Sequence, residues 1–139
     1  MSARTKARKQ ALDLLFEGDI RNADPLSLIV TRDSIEDADI PALRDYTRHL
    51  ITGVVDNKRK IDELIITYAR GWDMDRMAAV DRNILRLAIF EIVFADDIDD
   101  SVAISEALSL ARDLSSEESV SFIHGLLGTI VTNKESISR

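Results

Sequence analysis

The sequence predicts an all-α protein: one compact domain, residues 1–139, built as a bundle of about seven helices in two packed subbundles, about 1–71 and about 72–139. Three observations predict it. Apolar residues recur at three- and four-residue spacing almost throughout the chain. Five glycines and two prolines are too few for the dense turns of a many-stranded β fold. A chain of 139 residues suits one domain that buries roughly two-thirds of its unfolded surface.

The elements follow in order. A first helix runs from about Thr5 to Ile20, with Ala7, Ala11, Leu14, Leu15 and Gly18 near one side. Asp24-Pro25 supplies a cap and a first-turn proline for a short helix carrying Leu26, Ile29 and Val30. A third helix starts near Pro41 and aligns Leu43, Tyr46, Leu50 and Val54. The fourth carries Ile61, Leu64, Ile65 and Tyr68 and stops at Gly71, where the two subbundles meet and Trp72 reads as core. The fifth, about Met74 to Ala95, is apolar on most sides and reads as the buried axis. After the acidic loop Asp96-Asp97-Ile98-Asp99-Asp100, Ser101 caps a sixth helix carrying Ile104, Ala107, Leu108, Ala111 and Leu114. Ser115-Ser116-Glu117-Glu118 has the Ser-x-x-Glu pattern of a capping box and opens a seventh, with Val120, Ile123, Leu127, Ile130 and Val131 on one stripe. The segment 50–55 weakly echoes 122–127.

The chemical inventory argues against an active site. Absence of cysteine removes disulfides, thiolate zinc sites and cysteine nucleophiles, and fits a reducing compartment. No Gly-rich phosphate loop, Gly-x-Ser-x-Gly or His-Glu-x-x-His occurs. His49 and His124 offer no ligand spacing, so neither metal nor cofactor is expected. The longest charge-free run, between Glu118 and Lys134, is short of the roughly 18–20 apolar residues of a membrane span. No signal peptide is legible, so a cytoplasmic protein is expected.

Charge is segregated. The formal net charge is −7, yet Arg4, Lys6, Arg8 and Lys9 precede the first acid, and without them the chain carries −11. A basic arm on an acidic body is a footprint of nucleic-acid binding; a frayed terminus is the alternative. Cations at a helix start oppose the macrodipole, and a bound phosphate would reverse that conflict. Arg82 and Arg86 lie one turn apart on a polar strip of the fifth helix with Asp75, Ala79 and Asn83. Arginine there suits phosphate or base edges, the alternative being a structural pair with a carboxylate such as Asp75. On the last helix Ser121, Gly125, Gly128 and Thr132 line one side with small residues, open to close approach by a backbone or a nucleic-acid strand. Phe122 stands off the apolar stripe, where it can stack on an unpaired base or simply pack. His124 falls with the stripe, as a partly buried, hydrogen-bonded histidine.

Taken together, Ala7-Arg8 with Ala11 and Leu15-Phe16, then 50–54, Ile61-Asp62, 81–91, 102–107 and 122–127 resemble the NusB family of bacterial antitermination factors. The block ending Ile84-Leu85-Arg86-Leu87-Ala88 is the most specific. The resemblance implies two packed helical subbundles and a non-enzymatic adaptor. It implies binding of single-stranded box A RNA of ribosomal RNA leaders together with ribosomal protein NusE, on the elongating RNA polymerase with other Nus factors. Carried over by position, it supports Arg4, Lys6, Arg8, Lys9, Arg82 and Arg86 as RNA-binding residues, and adds Ser119 beside Phe122. Ser105 and His124 stand where the family usually has asparagine, so contacts made there must differ. Two other readings stay open: a structural dimerisation module using the Gly125/Gly128 face, and a stand-alone relative of the accessory domain of ribosomal-RNA cytosine methyltransferases. A homodimer is compatible with each.

Overall fold

A computed structural model describes residues 1–139, and every regular element is helical. Helix α1 (Ala3–Arg21) starts at Ser2, whose hydroxyl accepts from the Thr5 amide, and ends at Asn22 in the left-handed region. Helix α2 (Pro25–Asp33) has the cap expected of it: the Asp24 carboxylate accepts from the Leu26 amide, with Pro25 in the first turn. Helix α3 (Asp45–Asp56) begins later than Pro41. The Gln10 side chain holds the segment before it extended along α1, donating to the Ala42 carbonyl and accepting from the Arg44 amide, while Leu43 is buried. Helix α4 (Lys58–Tyr68) ends before Gly71, whose φ of +78° is a conformation that glycine adopts without strain.

The predicted fifth helix is divided. Met74–Arg76 forms a 3-10 turn, Met77 and Ala78 are extended, and helix α5 proper spans Ala79–Ile89. The Arg82 guanidinium explains the break, because it donates to the carbonyls of Met74 and Met77 and so satisfies them outside any helix. Beyond Ile89 the helix widens into a π-helical turn, Phe90–Phe94. Helix α6 (Asp100–Leu114) has Asp99 at its N-cap position, with Ser101 already inside the first turn. Helix α7 (Glu117–Thr132) is capped by Ser116, which accepts from the Ser119 amide at 3.1 Å. The capping box read at Ser115-x-x-Glu118 is therefore displaced by one residue, and the Ser115 hydroxyl donates to Asp81 instead.

Helix α5 is the axis. It contacts α1, α4, α6 and α7, and every residue from Asn83 through Val93 is buried. Helix α1 runs antiparallel to it, since Asp19 near the α1 C-terminus meets Arg82 and Asn83 while Arg8 near its N-terminus meets Glu91. Helices α1, α2 and α3 pack together on one side, α6 and α7 on the other, over one continuous apolar core. At Gly53 a Cβ would come within 2.2 Å of the Phe90 ring, so α3 approaches the π turn closely only because a side chain is missing. The echoing glycine in α7 is different: a Cβ on Gly125, or on Gly128, would meet nothing within 4 Å. No other backbone of this chain approaches that face. Two further expectations need correction. Trp72 is 49% exposed rather than core, because the extended turn after Gly71 lifts it to the surface against Phe122. His124 is exposed rather than part of the buried stripe, which Ile123 and Leu127 occupy.

Candidate nucleic-acid interface

The basic arm is the first two turns of α1, ordered by the Ser2 cap and by the Thr5 hydroxyl, which donates to Glu106 of α6 at 2.6 Å. Helical geometry then sorts the four cations onto different sides. Lys6 is exposed, with no carboxylate within ion-pair distance. Lys9 is partly exposed and pairs one turn along with Asp13 at 2.6 Å. Arg4 is exposed; its guanidinium lies 4.3 Å over the Tyr46 ring and donates to Asp97 at 3.2 Å. Arg8 points inward and is only 3% exposed.

The Arg8 guanidinium is bound in a fork to Glu91, Nε and Nη2 each donating at 2.8 Å, and its Nη1 lies 3.2 Å from Glu106. Tyr46 completes the set by donating its hydroxyl to Glu91 at 2.5 Å. Burial works against the Arg8 cation, but the bonds and charges of Glu91, Tyr46 and Glu106 outweigh it and hold its pKa raised. Burial together with the bond to Glu91 pushes the Tyr46 phenol well above its ordinary range, so it stays protonated and a donor. This network fastens the arm to α3, the π turn and α6.

A second network lies at the other end of α1. One oxygen of Asp19 accepts from Arg82 Nε at 2.8 Å, Asn83 Nδ2 at 2.9 Å and Arg86 Nη1 at 3.2 Å. Arg86 also forks onto Asp62 of α4 at 2.9 and 3.2 Å and donates to Asn83. Burial tends to raise the Asp19 pKa, but the bonds from Arg82 and Asn83 and the charges of both arginines keep it lowered. The pairing carboxylates are thus Asp19 and Asp62 rather than Asp75. Arg82 and Arg86 are 16% and 9% exposed, and both spend their forks inside the fold.

Ser119 and Phe122 gather near the start of α5. The Ser119 hydroxyl donates to Asp81 at 2.6 Å, and Phe122 packs its ring 4.9 Å from that of Trp72. Beside them Tyr68, Ser121, Gly125, Thr129 and Asn133 line a shallow groove. Glu91, which holds Arg8, and Asp81, which holds Ser119, are ten helical residues or about 15 Å apart along the axis. The expected RNA-facing residues therefore fall into three sets: exposed cations on the arm, arginines used as internal braces, and Ser119 with Phe122 near the start of α5. Sequence reasoning missed Tyr46, Glu91, Asp19, Asp62 and Asp81. Glu91 carried a signal, as a carboxylate inside the most apolar helix, which must find a cation there.

No helix is long and apolar enough to cross a membrane. The sequence model of the NusB family matches residues 5–132. A transcription antitermination protein NusB from Nocardioides sp. is 49% identical over 138 residues, covering 99% of this chain and all of that protein. Another from Acidothermus cellulolyticus is 44% identical, covering 99% and 93%. Among solved structures, a crystal structure of the antitermination factors NusB and NusE in complex with double-stranded RNA superposes with a TM-score of 0.77 at 26% identity, covering 93% of this chain and 96% of that one. NusB of T. maritima superposes at 0.80 and 29%, covering 98% and 99%.

Proposed function

Because the chain belongs to the NusB family, we infer that it works by holding RNA and a NusE-type ribosomal protein at once. It is a transcription antitermination factor. Its RNA is single-stranded box A sequence of ribosomal RNA leaders, its assembly is the elongating RNA polymerase with other Nus factors, and its compartment is the cytoplasm. It acts as an adaptor without catalysis.

The observation that carries this reading is the unshared charge of the arm. Of the first four cations, Lys6 has no internal partner, and Arg4 and Lys9 have only exposed ones, whose pairing contributes little against solvent. These three, ordered on a fixed helix start, are the phosphate-binding set. Arg8, Arg82 and Arg86 act by holding α1 against α5. Releasing Arg8 to meet a phosphate would leave the buried Glu91 without its fork, and releasing Arg82 or Arg86 would break bonds to the part-buried Asp19 and Asp62, losses that a phosphate contact must first offset. Phe122 lines the groove beside Trp72, and Ser119 is bound to Asp81 near the start of α5. Phe122 and Trp72 together offer an aromatic surface for a base or for an apolar side chain of the partner. The acidic remainder repels RNA in general, so tight binding depends on contacts added by the partner protein.

Co-elution tests the reading. The chain is mixed with NusE and labelled box A RNA, a scrambled strand or a duplex of the same sequence. A ternary complex that forms best with the single box A strand, and weaker RNA binding by the chain when NusE is left out, is the expected result. Elution of the chain as a dimer that ignores both RNA and NusE would favour the dimerisation module instead.

A further inference from the structure

We infer that Asp97 is an affinity-setting residue, an intramolecular competitor that occupies Arg4 until an RNA phosphate displaces it. The inference rests on the reading of the arm as the RNA grip.

The loop between the π turn and α6 carries Asp96, Asp97, Asp99 and Asp100, and the fold distributes their charges. Asp96 is bound by Arg139 at 2.5 Å and Asp100 by Lys134 at 2.9 Å, so the C-terminal segment neutralises two of the acids. Asp99 sits at the start of α6 and uses its backbone carbonyl for the Val102 and Ala103 amides. Asp97 alone is turned to the arm, and its partner is Arg4.

The geometry at Arg4 makes this pairing competitive with a phosphate. Its guanidinium is positioned by the Tyr46 ring 4.3 Å beneath it, and that ring is itself fixed through its hydroxyl to Glu91. Arg4 therefore has a second contact that does not depend on Asp97. Only Nη2 engages Asp97, leaving other N–H groups of the guanidinium for a second acceptor. A phosphate arriving there comes beside the Asp97 carboxylate, and either displaces it or binds against its repulsion. Both side chains are about half exposed, at 47% and 63%, so the exchange needs no unfolding. An exposed pair of this kind corresponds to a competition factor of roughly two- to fivefold.

The test is a titration of labelled box A RNA into the full chain with NusE present, comparing the parent, Asp97→Asn, Arg4→Ala and the double variant. Glu63→Gln serves as a control of equal charge change, since Glu63 lies on α4 and pairs only with Arg59. Asp97→Asn is expected to tighten binding roughly two- to fivefold at low salt, with the gain shrinking as salt rises. The gain should vanish in the Arg4→Ala background, while Glu63→Gln should leave affinity unchanged. An equal gain with and without Arg4, or from Glu63→Gln, would overturn the inference, because net charge would then account for it. Weaker binding by Arg4→Ala with no response to Asp97→Asn would overturn the inference and leave the arm reading standing. Indifference to both substitutions would overturn the arm reading, and the inference with it.

Discussion

Arg8 and Glu91 meet in a two-bond fork inside the protein, both bonds at 2.8 Å and the side chains 4% and 2% exposed. The pair joins the N-terminus of α1 to the π turn that ends α5. Every buried side-chain polar atom in the chain has a hydrogen-bond partner, so neither member has spare capacity.

Removing one partner of this fork should cost more than removing both. Arg8→Ala strands the buried Glu91 carboxylate and Glu91→Gln leaves Arg8 only the more exposed Glu106, and each is expected to lower unfolding stability, Arg8→Ala by about 3–5 kcal/mol. The pair Arg8→Met with Glu91→Leu should be markedly milder than either single change, as measured by urea unfolding at neutral pH. If Arg8 served RNA rather than the fold, Arg8→Ala would leave the unfolding midpoint in place.

Asp19 should make the protein sensitive to acid. Its pKa is lowered below the ordinary 3.8, so its bonds to Arg82, Asn83 and Arg86 stabilise the fold fully above that value. The contribution disappears as pH falls from about 4 through the lower native value. Asp19→Asn is expected to cost about 2 kcal/mol at neutral pH, and the gap between parent and variant should close in acid. Urea unfolding of both proteins across that range measures it; a gap constant with pH would show that packing, not charge, is at work.

The two glycines of the echoing segments should respond in opposite directions. Gly53→Ala places a methyl 2.2 Å from the Phe90 ring and must push α3 from the π turn, lowering stability by about 1–3 kcal/mol. Gly125→Ala meets open space within a helix and should raise stability by up to about 1 kcal/mol. Thermal unfolding of the two variants decides this. If Gly125→Ala is stabilised yet binds NusE or RNA less well, its open face is one that a partner approaches.

Much of this architecture was legible in the sequence because its signals are local. Pro25 behind Asp24, the charge on α1 and the apolar spacing of α7 each act within a turn or two. The break at Met77 and Ala78 was hidden, since no glycine or proline marks it and the arginine that satisfies its carbonyls lies in the following helix. The arm was legible as charge but not as geometry. Lys6 and Arg8 look alike in sequence, and only the carboxylate 83 residues further on separates an exposed cation from a buried one. Trp72 misled for a similar reason: its size suggests core, whereas the turn after Gly71 decides its side.

The most direct test of the account is the salt dependence of box A RNA binding, with NusE present, for the parent, Lys6→Ala and Arg8→Met/Glu91→Leu. Lys6→Ala should weaken binding several-fold and flatten the slope of log affinity against log salt by about 0.7, the loss of one phosphate contact to a single strand. The slope of the Arg8→Met/Glu91→Leu protein should match the parent's, because the arginine it lacks is buried against Glu91. An unchanged slope for Lys6→Ala together with a flattened one for the buried-pair variant would contradict the account.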